Sequence, residues 1–181
     1  MNNKVVLITG VVGFIGSATA KSLLEEGHTV IGVDNLNHYY DVSLKYKRLK
    51  ILNSFSGFSF FESDIADKKK LKEIFSKSQP STVINLAAQA GVRYSLENPY
   101  AYLDSNLIGF FNVLENVKSF EVERLIFASS SSVYGNSLET PYNTDSKTDN
   151  PISIYAATKK SNEVMAFAYS AICKIPIIGL R

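Results

Sequence analysis

The chain has 181 residues, 45% hydrophobic and 20% charged, with a net charge of +2. That balance is globular rather than disordered, fills one domain rather than two large ones, and asks for neither nucleic acid nor an anionic membrane as partner. The single cysteine, Cys173, excludes an internal disulfide and fits a reducing compartment, so the cytoplasm is expected. With His28 and His38 it forms no metal-ligand spacing.

Met1-Asn2-Asn3-Lys4 leads into five mostly apolar residues, too few for a signal-peptide core or a membrane span. A first strand is expected over 5–9, where Val5-Val6-Leu7-Ile8 is apolar throughout, as a strand buried on both faces requires. A helix over 14–26 follows, with Gly27 placed to close it as a C′ residue. The next expected elements are a strand at 29–34, a helix at 44–52 and a strand at 58–62. Asp67 is placed to cap a helix over 68–76, and Lys68-Lys69-Lys70 reads as its solvated face. A strand at 82–86 precedes Asn98-Pro99, a cap and first-turn proline for a helix over 100–118. A strand at 124–129, a polar loop through residues 137–150, a helix at 154–173 and a strand at 177–180 complete the series. The apolar strand at the end stops with the sequence, and a front portion of something longer is the expectation. Strands separated by helices read as right-handed βαβ units, hence one α/β domain over 1–181.

Gly10, Gly13 and Gly16 lie between the first strand and the first helix. Glycines there permit a tight turn, backbone approach to a pyrophosphate, and close helix–strand packing. Phe14 and Ile15 offer backbone N–H groups at the helix N-terminus, where an anion is favoured. The spacing is GxxGxxG rather than the commoner GxGxxG, so context carries the reading. Asp34 supplies that context. It ends the second strand, 18 residues after Gly16, where a carboxylate accepts ribose hydroxyls and repels a 2′-phosphate. No arginine stands beside it, and NAD rather than NADP is expected. The strand order of such a fold is Rossmann-type: doubly wound, with helices on both faces.

Tyr155 and Lys159 stand at i, i+4 on the last helix, after the run Ser129-Ser130-Ser131-Ser132. Side chains at that spacing share a face, about 5–6 Å apart at Cβ. An ammonium there favours the phenolate and turns the tyrosine into a general base for an alcohol. Tyr46 and Lys50 have the same spacing without that context.

In chain order these residues resemble the extended short-chain dehydrogenase/reductases, specifically the nucleotide-sugar epimerases. The match takes in Thr9-Gly10 through Gly16, Asp34-Asn35-Leu36, Asp64-Ile65, Leu86-Ala87-Ala88, Ser130, Ser132-Val133-Tyr134-Gly135 and the Tyr155/Lys159 pair. Two stretches, Asp34 to Asp41 and Ala87 to Ser95, look most like UDP-glucuronate 4-epimerases. Val11-Val12 departs from the small pair usual in the glycine turn, a change that bears on phosphate approach. Asn85 stands where a histidine is common. The resemblance implies NAD held by Gly10, Gly13, Phe14, Ile15, Gly16, Asp34, Asn35, Asp64, Ile65, Leu86, Ala87, Ala88, Asn106, Tyr155 and Lys159. It implies catalysis by Ser130, Tyr155 and Lys159 on a UDP-sugar, in surface polysaccharide synthesis, with Ser130, Ser132 and Arg93 toward the sugar. It also implies a homodimer through the helices near 100–118 and 154–173. In the resembling proteins the sugar-binding part follows this region and is missing here. A dehydratase or decarboxylase is the second reading, disfavoured because Ser131 and Ser132 offer no carboxylate. A non-catalytic NAD-binding remnant is the third.

Overall fold

Apolar alternation along β1 (Val5–Thr9) sends Val6 and Ile8 to one face of the sheet and Leu7 to the other, and all three are buried. The computed structural model describes residues 4–181, and the expected lead-in at 1–3 lies outside the described residues. Five more strands follow: β2 (Thr29–Asp34), β3 (Phe58–Glu62), β4 (Thr82–Asn85), β5 (Arg124–Ala128) and β6 (Ile177–Leu180). All pair in parallel, in the order β3-β2-β1-β4-β5-β6. The chain runs outward one way from β1 to β3, then crosses back to β4 and runs outward the other way. The crevice between β1 and β4 is the switch point of a doubly wound sheet, where such folds take ligands.

The helices cover both faces. On one side α1 (Phe14–Glu25) and α2 (Val42–Leu52) bury Ala20, Leu24 and Leu52 with Val6, Ile8, Val11, Val12 and Val30. On the other, α3 (Lys68–Ser78) and α6 (Phe110–Ser119) bury Leu71, Phe75, Phe110 and Leu114 against Leu7, Val83 and Leu125. α7 (Ile154–Cys173) packs on the same side through Ala166. Each fully buried aliphatic or aromatic side chain adds about 1.5–3 kcal/mol of transfer free energy.

The capping predictions hold. Asp67 accepts from the Lys70 N–H, and Asn98 from the Ala101 N–H, with Pro99 in the first turn. Gly27, at φ +86°, ends α1 through paired bonds from Gly27 N–H to the Leu24 carbonyl and His28 N–H to the Leu23 carbonyl. α2 starts two residues earlier than the sequence predicts, because Asp41 accepts from the Ser43 N–H and nucleates the extra turn.

One expected helix is broken. Over 100–118 the chain forms α5 (Pro99–Tyr102), a π-helical stretch (Leu103–Gly109) and then α6, preceded by a short α4 (Tyr94–Glu97). The cause is tertiary: Asn162 of α7 donates its Nδ2 to the Asn106 carbonyl at 2.6 Å. An outside donor on that oxygen competes with the α-helical bond and leaves a wider turn. The apolar residues of this region also divide. Tyr102, Phe110, Leu114 and Val117 enter the core, while Leu103, Ile108 and Phe111 stay exposed.

Candidate functional site

The strand ends at the switch point are held open by two turns that nearly touch. Gly10, at φ +68°, comes so close to the β4 turn that a Cβ there would meet the Ala87 backbone nitrogen at 2.7 Å. Gly16 lies against the Gly10 carbonyl, so a side chain at Gly16 would push α1 off β1. The side chains of Val11 and Val12 are fully buried in the core beneath the turn, so this departure leaves the mouth of the turn clear. Asn85 is buried and accepts from the Thr9 hydroxyl at 2.7 Å, and the Thr9 oxygen accepts from the Ala87 N–H at 3.2 Å. That chain of bonds fixes Leu86–Ala88 relative to β1, work that asparagine does without a histidine.

A cavity opens over these turns. Gly10, Gly13, Asp34, Asn35, Asp64, Ile65, Leu86, Ala87 and Ala88 line it. Phe14 and Ile15 have exposed side chains, and with Gly16 they form the first turn of α1, which no side chain caps. Among the described residues, those three N–H groups have no acceptor, as an anion site requires. Asp34 is buried. Its Oδ1 accepts from the Leu36 N–H at 2.9 Å, while Oδ2 has no hydrogen-bond partner among the described residues. Asn35 donates to Asp64 Oδ2 at 2.7 Å and so ties the β2 turn to the β3 turn. A close-approach glycine, unpaired helix N–H groups and a spare carboxylate oxygen together fit a dinucleotide.

The sequence missed Lys45, Asn37, Tyr39, Tyr40, Ser63, Gln89, Ala90 and Ser105 in the cavity walls. Lys45 had a readable signal, a lysine one turn into the helix that follows the ribose-type aspartate. Asn37, Tyr39, Tyr40, Gln89 and Ala90 lie in the two stretches that carry the resemblance, without a site role assigned to them, and Ser63 and Ser105 carry no motif.

Ser130, Tyr155 and Lys159 lie outside the walls of that cavity. Lys159 is buried, donates to the Ala128 carbonyl at 3.0 Å, and lies 6.0 Å from the centre of the Tyr155 ring. Burial pushes its ammonium down to about 8 from the ordinary 10.5. Only one of its three donors has a partner among the described residues. Two residues past Ala128, Ser130 donates to the Ser132 hydroxyl at 3.1 Å and accepts from the Ser132 N–H at 3.1 Å. That bond opens a 3₁₀ turn, Ser131–Tyr134. Tyr155 packs edge-on to Tyr102, ring centres 6.1 Å apart, and the Tyr102 hydroxyl donates to the carbonyls of Ala90 and Gly91 at the cavity rim. Tyr102 therefore links the tyrosine–lysine pair to the cavity.

Asn106 is placed differently from the cofactor contact implied by the resemblance. Its side chain is spent on the Gln89 N–H (2.8 Å), the Gln89 carbonyl (3.0 Å) and the Thr158 hydroxyl (3.0 Å). It braces the β4 turn against α7. Arg93 is exposed and has no partner among the described residues. No cluster of metal ligands occurs among the described residues, and no described helix is long and apolar enough to cross a membrane.

Known proteins share this arrangement. Protein CapI of Staphylococcus aureus is 52% identical over 176 residues, covering 97% of this chain and 52% of that protein. UDP-glucuronate 4-epimerase of Thermodesulfobacterium geofontis is 48% identical over 175 residues, covering 97% of this chain and 54% of that protein. Among solved structures, UDP-glucuronic acid 4-epimerase from Bacillus cereus, in complex with UDP-glucuronic acid and NAD, superposes with a TM-score of 0.90 at 31% identity. That superposition covers 98% of this chain and 55% of the other. The chain thus spans about half the length of the curated relatives it matches. The model of the GDP-mannose 4,6 dehydratase family matches residues 7–181, from within β1 through β6, and the chain belongs to that family.

Proposed function

We propose that this chain carries the NAD-binding and proton-transfer site of a UDP-sugar 4-epimerase, with UDP-glucuronate as the sugar nucleotide. One observation carries the reading: a buried lysine lies beside Tyr155, whose ring packs on Tyr102, and Tyr102 bonds the Ala90 carbonyl in the wall of a cavity built on Gly10 and Asp34. Residues 1–181 form one NAD-binding domain in this reading. The epimerases among its relatives support the sugar class, and we assign the product to surface polysaccharide synthesis in the cytoplasm.

Bound NAD supplies a hydride acceptor. Gly10, Gly13 and the N–H groups of residues 14–16 hold its pyrophosphate, and Asp34 Oδ2 accepts from a ribose hydroxyl. Tyr155 takes the proton of the sugar 4′-hydroxyl. Lys159 lies beside the Tyr155 ring, and its spare N–H groups are free for a ribose hydroxyl. Ser130 donates to the reacting oxygen, Ser132 supports it, and Arg93 offers a free guanidinium to a sugar carboxylate. Loss of hydride from C4 and its return to the opposite face invert that carbon with no net redox change.

A dehydratase is the second reading, favoured by the family's description. Against it, Ser131 and Ser132 bring no carboxylate for chemistry beyond C4. The nearby carboxylate of Glu163 is clamped by Arg181 and accepts from Ser129 at 2.6 Å.

A homodimer belongs to the same proposal. Leu103, Ile108 and Phe111 beside Val164, Phe167 and Ile172 leave an apolar, exposed face on two neighbouring helices. The test is a calorimetric titration with NAD, followed by UDP-glucuronate conversion by wild type and Tyr155→Phe, on material sized by light scattering. Expected are NAD binding in both, little or no conversion by residues 1–181 alone because the sugar is not fully held, loss in Tyr155→Phe of any conversion that is seen, and a dimer mass. Conversion that survives Tyr155→Phe, or no NAD binding at all, would overturn the reading.

A further inference from the structure

Helix α2 carries two cations back against the cavity wall beyond Asp34. Lys45 and Arg48 stand at i and i+3, which puts them on one face of the helix. The Lys45 ammonium is buried, 3.4 Å from Asp34 Oδ1 and 3.0 Å from Asn37 Oδ1, and 5.1 Å from the centre of the Tyr40 ring. Arg48 donates through Nη1 to the Val12 carbonyl at 3.2 Å and to the Tyr40 hydroxyl at 3.3 Å. Its guanidinium lies 6.0 Å from the centre of the Phe14 ring, and its Nε and Nη2 have no partner among the described residues. Tyr40 lines the cavity with Asp34 and Lys45 and so touches both cations.

The sequence rejects NADP first for want of an arginine beside Asp34 and second for repulsion by its carboxylate. The structure removes the first ground. A guanidinium joins the Val12 carbonyl of the glycine turn to the hydroxyl of Tyr40, which lines the cavity with Asp34, and a 2′-phosphate on an Asp34-bound ribose would need a cation on that side. That phosphate brings a charge of about −1.5 to −2 and three strong acceptors, matched by the fork of an arginine. Against it stands one acceptor-only oxygen, Asp34 Oδ2, since Oδ1 is already bonded to Leu36 and Lys45.

We infer that Lys45 and Arg48 form a ready-made 2′-phosphate site, and that the Asp34 carboxylate alone keeps NADP out of it. The inference rests on the dinucleotide reading proposed above. It makes cofactor choice a balance of one anion against two cations, and a single neutralising substitution tips it. No new arginine is needed.

Wild type, Asp34→Asn, and Asp34→Asn with Arg48→Met are titrated calorimetrically with NAD and with NADP. Asparagine keeps an acceptor for the Leu36 N–H, so the turn retains its bond. Expected is a gain of at least tenfold in NADP affinity for Asp34→Asn, with preference passing to NADP. Adding Arg48→Met then returns most of that gain, with a smaller change for NAD. A gain below threefold, or a gain that Arg48→Met leaves intact, overturns the inference while wild-type NAD binding stands. A wild type that binds neither dinucleotide overturns the dinucleotide reading and this inference with it. Should Asp34→Asn fail to fold, Arg48→Met in the wild-type background decides. It should lower the NADP-to-NAD affinity ratio, read by competition, at least threefold, and an unchanged ratio overturns the inference.

Discussion

Replacing Asn106 with Ala should cost stability first and cofactor binding only as a consequence. The Asn106 side chain, in the π-helical stretch, makes three hydrogen bonds at 2.8–3.0 Å, two to the backbone of Gln89 and one to Thr158. Asn106, Gln89 and Thr158 are all buried, so water cannot replace the lost partners without opening the structure. Each net hydrogen bond is worth about 1 kcal/mol, and each buried group left unpaired costs about 1–3 kcal/mol. Taken together the loss is about 3–5 kcal/mol, a large part of the roughly 5–15 kcal/mol that holds a domain folded. At about 2–4 °C per kcal/mol for a chain of this size, the melting temperature should fall by roughly 6–20 °C. Urea unfolding followed by far-ultraviolet circular dichroism measures the first quantity, and an NAD titration well below the melting point measures the second. Thr158 in turn donates to the Tyr155 carbonyl at 2.8 Å, so the variant also loosens the turn that carries the tyrosine. A loss below about 1 kcal/mol, combined with a drop of more than tenfold in NAD affinity, would refute the bracing argument and restore Asn106 as a direct cofactor contact.

Two further predictions concern protons. Lys159 titrates near 8 when folded and 10.5 when free, because burial disfavours its charge. Below pH 8 both states are protonated and the penalty is fully present; between pH 8 and 10.5 the folded state gives up its proton first. Stability therefore rises with pH across that window, by up to about 3 kcal/mol. Measured as the difference between wild type and Lys159→Met, the gain should appear there, and a difference independent of pH would contradict it. Glu163 behaves in the opposite sense: burial raises its carboxyl, but bonds from Arg181 and Ser129 outweigh that and hold it below the usual 4.5. Its contribution is present above pH 4.5 and lost as pH falls through the folded value. Glu163→Gln should accordingly flatten the acid limb of the stability curve, and an acid limb equal to wild type would argue against the clamp.

The sequence by itself determined the sheet and one wall of the site. Short, near-continuous apolar runs in β1, β4 and β5 read as strands buried on both faces, and the helical stretches between them read as crossovers of a parallel sheet. Gly10, Gly13, Gly16 and Asp34 were legible because their roles depend on backbone conformation and strand ends, which are local properties. Asp67, Asn98 and Gly27 were legible for the same reason.

What only the tertiary structure decided involves partners distant in the chain. The break in the helix over 100–118 comes from Asn162 reaching the Asn106 carbonyl, a contact across 56 residues that no local pattern encodes. Along the same segment, the packing of α6 on the sheet took Phe110 and Leu114 into the core and left Phe111 outside. Lys45 and Arg48 are a second case. Only the packing of α2 beside the glycine turn puts one ammonium against Asp34 and one guanidinium against Val12, because electrostatic roles are set by distance in space rather than along the chain.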